Sequence, residues 1–172
     1  MLQKIIRCYK KLLNIPLQVK CASRLCGYVD MIYLVKSSVL NFSQRTAIRE
    51  TWGSNTRMRT LTIFIIGYSE PLQSFIDFES NHHDDILQFD MEDTYDNLVF
   101  KTVFSIAWLC DINIQAKFIH FVDDDRMINP QNLLALAIKS IPLFEMKMVG
   151  FKVTSAKPYR RYSSKWYISK RI

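Results

Sequence analysis

Three consecutive acids, Asp123-Asp124-Asp125, leave an apolar run and are followed by Arg126-Met-Ile-Asn129-Pro130. In extended backbone, residues two apart point the same way, so Asp123 and Asp125 can face one ligand while Asp124 points elsewhere. Paired carboxylates suit a hard divalent cation, Mg²⁺ or Mn²⁺, which in turn can hold a diphosphate and neutralise it as it leaves. The competing reading is a solvated turn whose acids cap the next helix. Arg45 and Arg49 lie four apart and share one helix face, an arrangement suited to phosphate or, more simply, to a solvent face paired with Glu50. Asp93 and Lys101 stand in Glu92-Asp-Thr-Tyr-Asp-Asn-Leu-Val-Phe-Lys101-Thr102. There the acid can accept from a base or sugar and the lysine can reach an anion, or both can belong to a capped helix. Basic and aromatic residues interleave from Lys157 to Tyr167, a pattern that stacks on sugars or bases, or forms an unstructured basic tail. His82, His83 and His120 show no ligand spacing.

The elements that must position these residues follow from hydropathy. Short β-branched and aromatic runs predict strands at 31–35, 61–66, 86–89, 117–122 and 146–153. Amphipathic stretches predict helices at 43–52 (Ser43 as N-cap, Gly53 as stop), 70–79, 94–110 and 132–141. In the third helix Leu98, Thr102, Ile106 and Leu109 form the expected apolar stripe, with Asp93 and Asp96 at the dipole-favoured start. Strands alternating with helices specify α/β architecture with a mainly parallel sheet. Ligands bind such sheets beyond the carboxyl ends of the strands. That rule singles out the acid triplet.

The chain has 172 residues with 49% hydrophobic and 13% aromatic content, which excludes a disordered or collagen-like chain. Its net charge of +7 is uneven: residues 1–30 and 147–172 are basic, whereas the centre is acidic. A uniformly basic nucleic-acid binder is not patterned this way. A membrane-surface or nucleic-acid binder using the charged ends is the remaining reading of that class. No apolar run reaches the ~18–20 residues a bilayer-crossing helix needs. Lysines and arginines interrupt residues 1–29, which read as a frayed basic segment or a short interfacial helix ended by Pro16. Cys8, Cys21, Cys26 and Cys110 form no CxxC pair and are too sparse for a disulfide scaffold.

Taken in order, these segments resemble the β-1,3-galactosyltransferases (glycosyltransferase family 31). Lys36-Ser37-Ser38 with Arg45-Thr-Ala-Ile-Arg49-Glu-Thr-Trp52-Gly53 resembles the family's first motif, and Asp93-Thr-Tyr-Asp-Asn97-Leu-Val-Phe-Lys101-Thr102 its second. Asp123-Asp-Asp125 with Asn129 is similar to its Asp-x-Asp motif, and Pro158, Arg160 and Ser164-Lys165-Trp166-Tyr167 to a later block. The likeness covers about residues 30–169. It implies an A-type nucleotide-sugar transferase fold, a UDP-sugar donor, Mn²⁺ (or Mg²⁺), and inverting transfer of galactose or N-acetylglucosamine to a glycan hydroxyl in a β-1,3 link. Glycoprotein or glycolipid acceptors and a lumenal Golgi location on a membrane-anchored protein are implied with it. Asp123 and Asp125 would meet the metal. Arg45, Arg49, Asp93, Lys101, Asp123, Asp124, Lys165 and Trp166 would line the donor site, the last two bordering the acceptor cleft.

Several positions depart from the family. Phe121-Val122 replaces the Lys-Thr usual before the acids, Val99 interrupts a sequon at Asn97, and a family cysteine falls on Asn113, three residues after Cys110. Asn41-Phe-Ser43 is itself a glycosylation sequon. The family's general base lies in a Glu-Asp motif after the Trp-Tyr block, and no acid follows Glu145. An inverting displacement needs such a base. The expectation is therefore residues 1–29 as a basic segment and 30–172 as the donor-binding portion of a C-terminally incomplete transferase domain. The alternative is a non-catalytic relative that at most binds UDP and metal.

Overall fold

The computed structural model describes residues 28–54, 58–111, 115–140, 154, 157–164 and 166–170, with Cys110, Asp111 and Gln115 described by backbone alone. Residues 1–27 of the expected basic N-terminal segment, the expected strand at 146–153, Lys165, Asn113 and the other three cysteines lie outside these residues. The chain divides into two compact units, Met1–Ala137 and Ile138–Ile172.

The first unit is built on four parallel strands: β1 (Tyr28–Lys36), β2 (Thr60–Tyr68), β3 (Ile86–Glu92) and β4 (Gln115–Asp123), in the order β3-β2-β1-β4. Helices α1 (Phe42–Glu50), α2 (Gln73–His83) and α3 (Leu98–Asp111) connect them, and α4 (Pro130–Ser140) follows β4. Each strand exceeds the run expected from its apolar centre, because the backbone ladder continues past the buried side chains.

Alternation along β1 builds both layers at once. Met31, Tyr33 and Val35 pack with Phe64, Ile66, Ile48, Trp52 and Ile76 on the face of α1 and α2, where Leu133, Leu134 and Ala137 of α4 also pack. Ile32 and Leu34 pack with Ile63, Ile65, Leu87, Phe89, Phe104 and Trp108 on the face of α3. Strands covered on both faces must be continuously apolar, which is why β1 and β2 carry unbroken hydrophobic runs.

All four helix readings change; the last, α4, starts at Pro130 rather than 132. The first helix is shorter than 43–52 and begins after Asn41, not Ser43; a 3₁₀ turn, Trp52–Ser54, follows it. A Cβ on Gly53 would lie 2.7 Å from the Ile48 carbonyl oxygen, so only glycine allows the chain to turn this closely against α1. The second helix opens with a 3₁₀ turn, Glu70–Leu72, and then runs to His83, past the expected end at 79. The third starts at Leu98 rather than Thr94, with no acid in its first turn. Its fully buried stripe is Lys101, Phe104, Ser105 and Trp108, not Leu98, Thr102, Ile106 and Leu109, which are half-buried. The helical spacing was right and the face was rotated, because a lysine occupies the first position of the true stripe.

In the second unit, residues 157–164 and 166–170 include a short aromatic turn. Tyr159 bridges to Tyr167, Arg160 Nη1 donates to the Ile168 and Ser169 carbonyls at 2.7 and 2.6 Å, and Tyr159 lies against Trp166 at 5.7 Å. Lys157, Pro158, Tyr159, Trp166 and Ile168 line an open, mostly apolar hollow of about 580 Å³.

Candidate functional site

The chain order β1-β2-β3 runs outward in one direction from β1, and β4 lies on the other side, so the switch point falls between β1 and β4. At their carboxyl ends Lys36 pairs in register with Asp123, which brings Lys36-Ser37-Ser38 beside Asp123-Asp124-Asp125. Crevices of this kind bind nucleotides in open α/β sheets.

Asp123 closes β4, and Asp124 and Asp125 form a turn. The extended-backbone argument therefore ends at Asp123. Asp123 and Asp125 nonetheless keep exposed side chains, 51% and 70%, with Lys36 Nζ at 2.9 Å from Asp123 Oδ1 and Arg126 Nε at 3.1 Å from Asp125 Oδ1. Asp124 faces inward. Its Oδ2 accepts from Ser37 Oγ at 2.7 Å and from Asn41 Nδ2 at 2.8 Å, and its N–H donates to the Lys36 carbonyl at 3.2 Å. Just beyond, Trp52 Nε1 donates to the Arg126 carbonyl at 3.2 Å, and Asn129 Oδ1 caps α4 through the Asn132 N–H at 3.0 Å. Asn41 occupies the N-cap of α1 but makes no capping hydrogen bond with its side chain. An asparagine cap is ordinarily worth about 1 kcal/mol, which this helix forgoes.

The basic residues are placed differently. Arg45 is fully buried: its Nε and Nη2 donate to Glu79 at 2.9 and 2.7 Å, and its Nη1 donates to the Ser38 carbonyl and Ser37 Oγ at 2.6 and 3.1 Å. Arg49 bridges Glu79 at 2.7 Å and grips both oxygens of Asp85 at 2.7 Å each, while its guanidinium stacks over Phe64. The partners are thus Glu79 and Asp85, not Glu50. Burial alone would raise the Glu79 pKa, but the hydrogen bonds and charges of the two arginines together hold it below the ordinary carboxylate range. Burial alone would likewise lower Arg49, yet Asp85 and Glu79 raise it.

Asp93 and Lys101 form a second interior clasp. Lys101 Nζ donates to Asp93 Oδ1 at 2.5 Å and to the Ser37 carbonyl at 2.6 Å, and Asp93 Oδ2 accepts from the Val39 and Gly67 N–H groups at 2.9 and 3.2 Å. Lys101 and Asp93 side chains are only 2% and 7% exposed. A Cβ on Gly67 would stand 2.8 Å from Asp93 Cβ, so the glycine makes room for this carboxylate. Asp93 is thereby drawn away from the helix start where dipole reasoning put it.

The structure thus brings Arg45, Asp93, Lys101 and Asp123–Asp125 together near the carboxyl end of β1, while Arg49 reaches Asp85 at the start of β3; the four non-triplet residues face inward. Trp166 is 54% exposed in the second unit. Sequence reasoning missed Lys36, Ser37 and Asn41 as neighbours of the triplet. The signal available was topological: a β2-β1-β4 order must set the end of β1 against the end of β4. Asn41 was read only as a sequon, and its Nδ2, the atom a glycan would occupy, is the one that donates to Asp124. Glu79 carried no signal in the sequence.

A parallel sheet of this order, layered by helices on both faces and ending in acids at its switch point, defines a Rossmann-like domain of the A type used by nucleotide-sugar transferases. The pattern of the galactosyltransferase family matches residues 43–171, and the chain belongs to that family of hexosyltransferases. It is 33% identical over 140 residues to beta-1,3-galactosyltransferase brn of Drosophila melanogaster, covering 79% of this chain and 43% of that protein. With N-acetyllactosaminide beta-1,3-N-acetylglucosaminyltransferase 2 of Mus musculus it shares 30% over 174 residues, 95% of this chain and 43% of the relative. With beta-1,3-galactosyltransferase 5 of Homo sapiens it shares 34% over 145 residues, 81% and 46%. The chain spans less than half the length of these relatives.

Proposed function

We propose that this chain supplies the donor-binding part of a hexosyltransferase. It would act on a UDP-sugar, galactose or N-acetylglucosamine being the hexose, and pass it to a glycan hydroxyl on a glycoprotein or glycolipid in an inverting, β-1,3-linking transfer. The observation that carries the reading is the pair of exposed carboxylates, Asp123 and Asp125, at the β1/β4 switch point. The named activities of the relatives supply the chemistry. Following the family resemblance, the site would work on the lumenal side of the Golgi membrane; among the described residues no helix is long and apolar enough to cross a bilayer.

The acids fit a divalent cation of the Mn²⁺ or Mg²⁺ kind. Among the described residues no group of three or more potential ligands is preassembled. Such cations commonly take one or two carboxylates and complete their shell with water and substrate phosphates. When bound, the cation would neutralise charge building on the diphosphate leaving group. Among the described residues Asp123 and Asp125 each pair with one basic side chain, Lys36 and Arg126; the exposed Asp125–Arg126 pair is worth about 0–1 kcal/mol, so a dication displaces Arg126 at small cost. The displaced guanidinium is then free to face diphosphate oxygens. Arg45, Arg49, Asp93 and Lys101 serve the site from inside, by fixing the ends of β1, β2 and β3 rather than by touching the donor.

Calorimetric titration of UDP with and without Mn²⁺ tests this. Mn²⁺-dependent binding that Asp125→Ala abolishes is expected. Binding indifferent to Mn²⁺, or unchanged in Asp125→Ala, would overturn it. Subsequent sugar-transfer assays separate a working transferase from a relative that only binds UDP.

A further inference from the structure

We infer that Asp124, the middle acid, is a positioning residue held by Ser37 and Asn41, and that this latch sets the turn presenting Asp123 and Asp125. The inference rests on the donor-site reading above and deepens it. Three observations carry it. Asp124 Oδ2 accepts two hydrogen bonds, at 2.7 and 2.8 Å, from residues more than eighty positions away, and its backbone N–H donates to the Lys36 carbonyl. Asn41 gives up capping its own helix to reach Asp124. The far side of the same turn is fastened to the same region by Trp52 on the Arg126 carbonyl. Three side chains between Ser37 and Trp52 thus close on a stretch of three residues, 124–126.

The two outer acids are exposed, and among the described residues each pairs with one basic side chain, Lys36 or Arg126. Asp123 is held by the β4 ladder opposite Lys36, whereas Asp125 lies beyond the strand. What sets Asp125 against Asp123 is the residue between them. The latch is also tied to the interior: Ser37 Oγ accepts from Arg45 Nη1 while donating to Asp124, and the Ser37 carbonyl accepts from Lys101. Burial of Arg45 and Lys101 is thereby transmitted to the acid turn through one serine.

An acceptor oxygen is all the latch needs from residue 124, since both partners are neutral donors. Asparagine supplies one and alanine does not. A residue that instead contacted the cation or diphosphate would need its charge. The full chain carrying Asp124→Asn, Asp124→Ala, Asn41→Ala or Asn41→Ala/Asp124→Ala distinguishes these in two readouts. In Mn²⁺-dependent UDP titration, Asp124→Ala and Asn41→Ala are expected to weaken affinity about tenfold or more, as loss of groups that orient metal ligands does. Asp124→Asn is expected to stay within about threefold of the parent, and the double variant to be no weaker than Asp124→Ala. Loss of binding in Asp124→Asn equal to that in Asp124→Ala would overturn the inference. Thermal melts without metal or UDP read the latch separately: shifts from Asn41→Ala and Asp124→Ala should be non-additive, and additive shifts overturn it. Failure of the parent chain to bind UDP strikes the donor-site reading, and the latch is then judged by the melts.

Discussion

Two sets of charges on the same sheet are built in opposite ways. Arg45, Arg49, Glu79 and Asp85, with the Asp93–Lys101 clasp beside them, have their polar atoms turned inward and matched by short hydrogen bonds. Asp123 and Asp125 are largely exposed and hold one surface partner each. A saturated, desolvated ion pair has no capacity left for a ligand, whereas an exposed carboxylate keeps most of its lone pairs. In the proposed reading the first set maintains a shape and the second is available for chemistry. The most recognisable sequence motif, around Arg45 and Arg49, turns its guanidiniums onto interior carboxylates.

Breaking the interior set should have the largest effect. Arg45→Met leaves Glu79 only Arg49 and removes the shortest of the hydrogen bonds to the Ser38 carbonyl. Removing one partner of a buried pair typically costs about 3–5 kcal/mol, a large share of the ~5–15 kcal/mol holding a domain together. Urea denaturation should show that loss, while Asp125→Ala leaves the midpoint unchanged. Equal destabilisation by the two substitutions would erase the distinction between them.

This division was only partly legible in the sequence. Strand positions followed from apolar runs, and the acid triplet from the rule that sites lie beyond strand ends. The i,i+4 spacing of Arg45 and Arg49 correctly placed them on one face but could not say what faced it. That depends on α2 delivering Glu79 across the packed layer, a tertiary fact with no local signature. Lys101 shows the complementary failure. Hydrophobic periodicity assigns a lysine to solvent, and its burial is tolerable only because Asp93 and the Ser37 carbonyl await it. Asp124 was indistinguishable by type from its neighbours, and only the β1–β4 register reveals what it touches.

A smaller effect, and one that sharpens the contrast, comes from titration. The arginines hold Glu79 below its ordinary value of 4.5 despite its burial. A carboxyl with a depressed native pKa binds protons more readily in the unfolded chain. Its contribution is therefore complete above that ordinary value and is lost as pH falls through the native one. Stability should decline on acidification below about pH 4.5, and the gap between the parent and Glu79→Gln should narrow over the same range. A gap that stays constant into acid would mean the carboxylate's charge does not support the interior set.

The smallest expected effect lies on β4 itself, the strand that carries the exposed acids. His120 sits edge-on to Tyr33, 6.2 Å between rings, and burial pushes its pKa below 6.5. The folded chain keeps this imidazole neutral while the unfolded chain begins to protonate it near pH 6.5. Stability from this residue is thus full above that pH and lost as pH falls toward the native value, with a slope of at most about 1.4 kcal/mol per pH unit for one proton. His83, lowered mainly by burial and then by Arg49, adds a slope of the same sign, so single variants are needed to separate them. His120→Phe keeps the edge-on ring contact and removes the titration. Denaturation midpoints of the parent and this variant should agree near pH 8 and diverge below 6.5, the variant becoming relatively more stable. If the two track each other across that range, the interior beneath β4 is wet enough to solvate an imidazolium. The contrast between a closed scaffold and an open acid turn would then stop at β1 rather than reach the strand beside it.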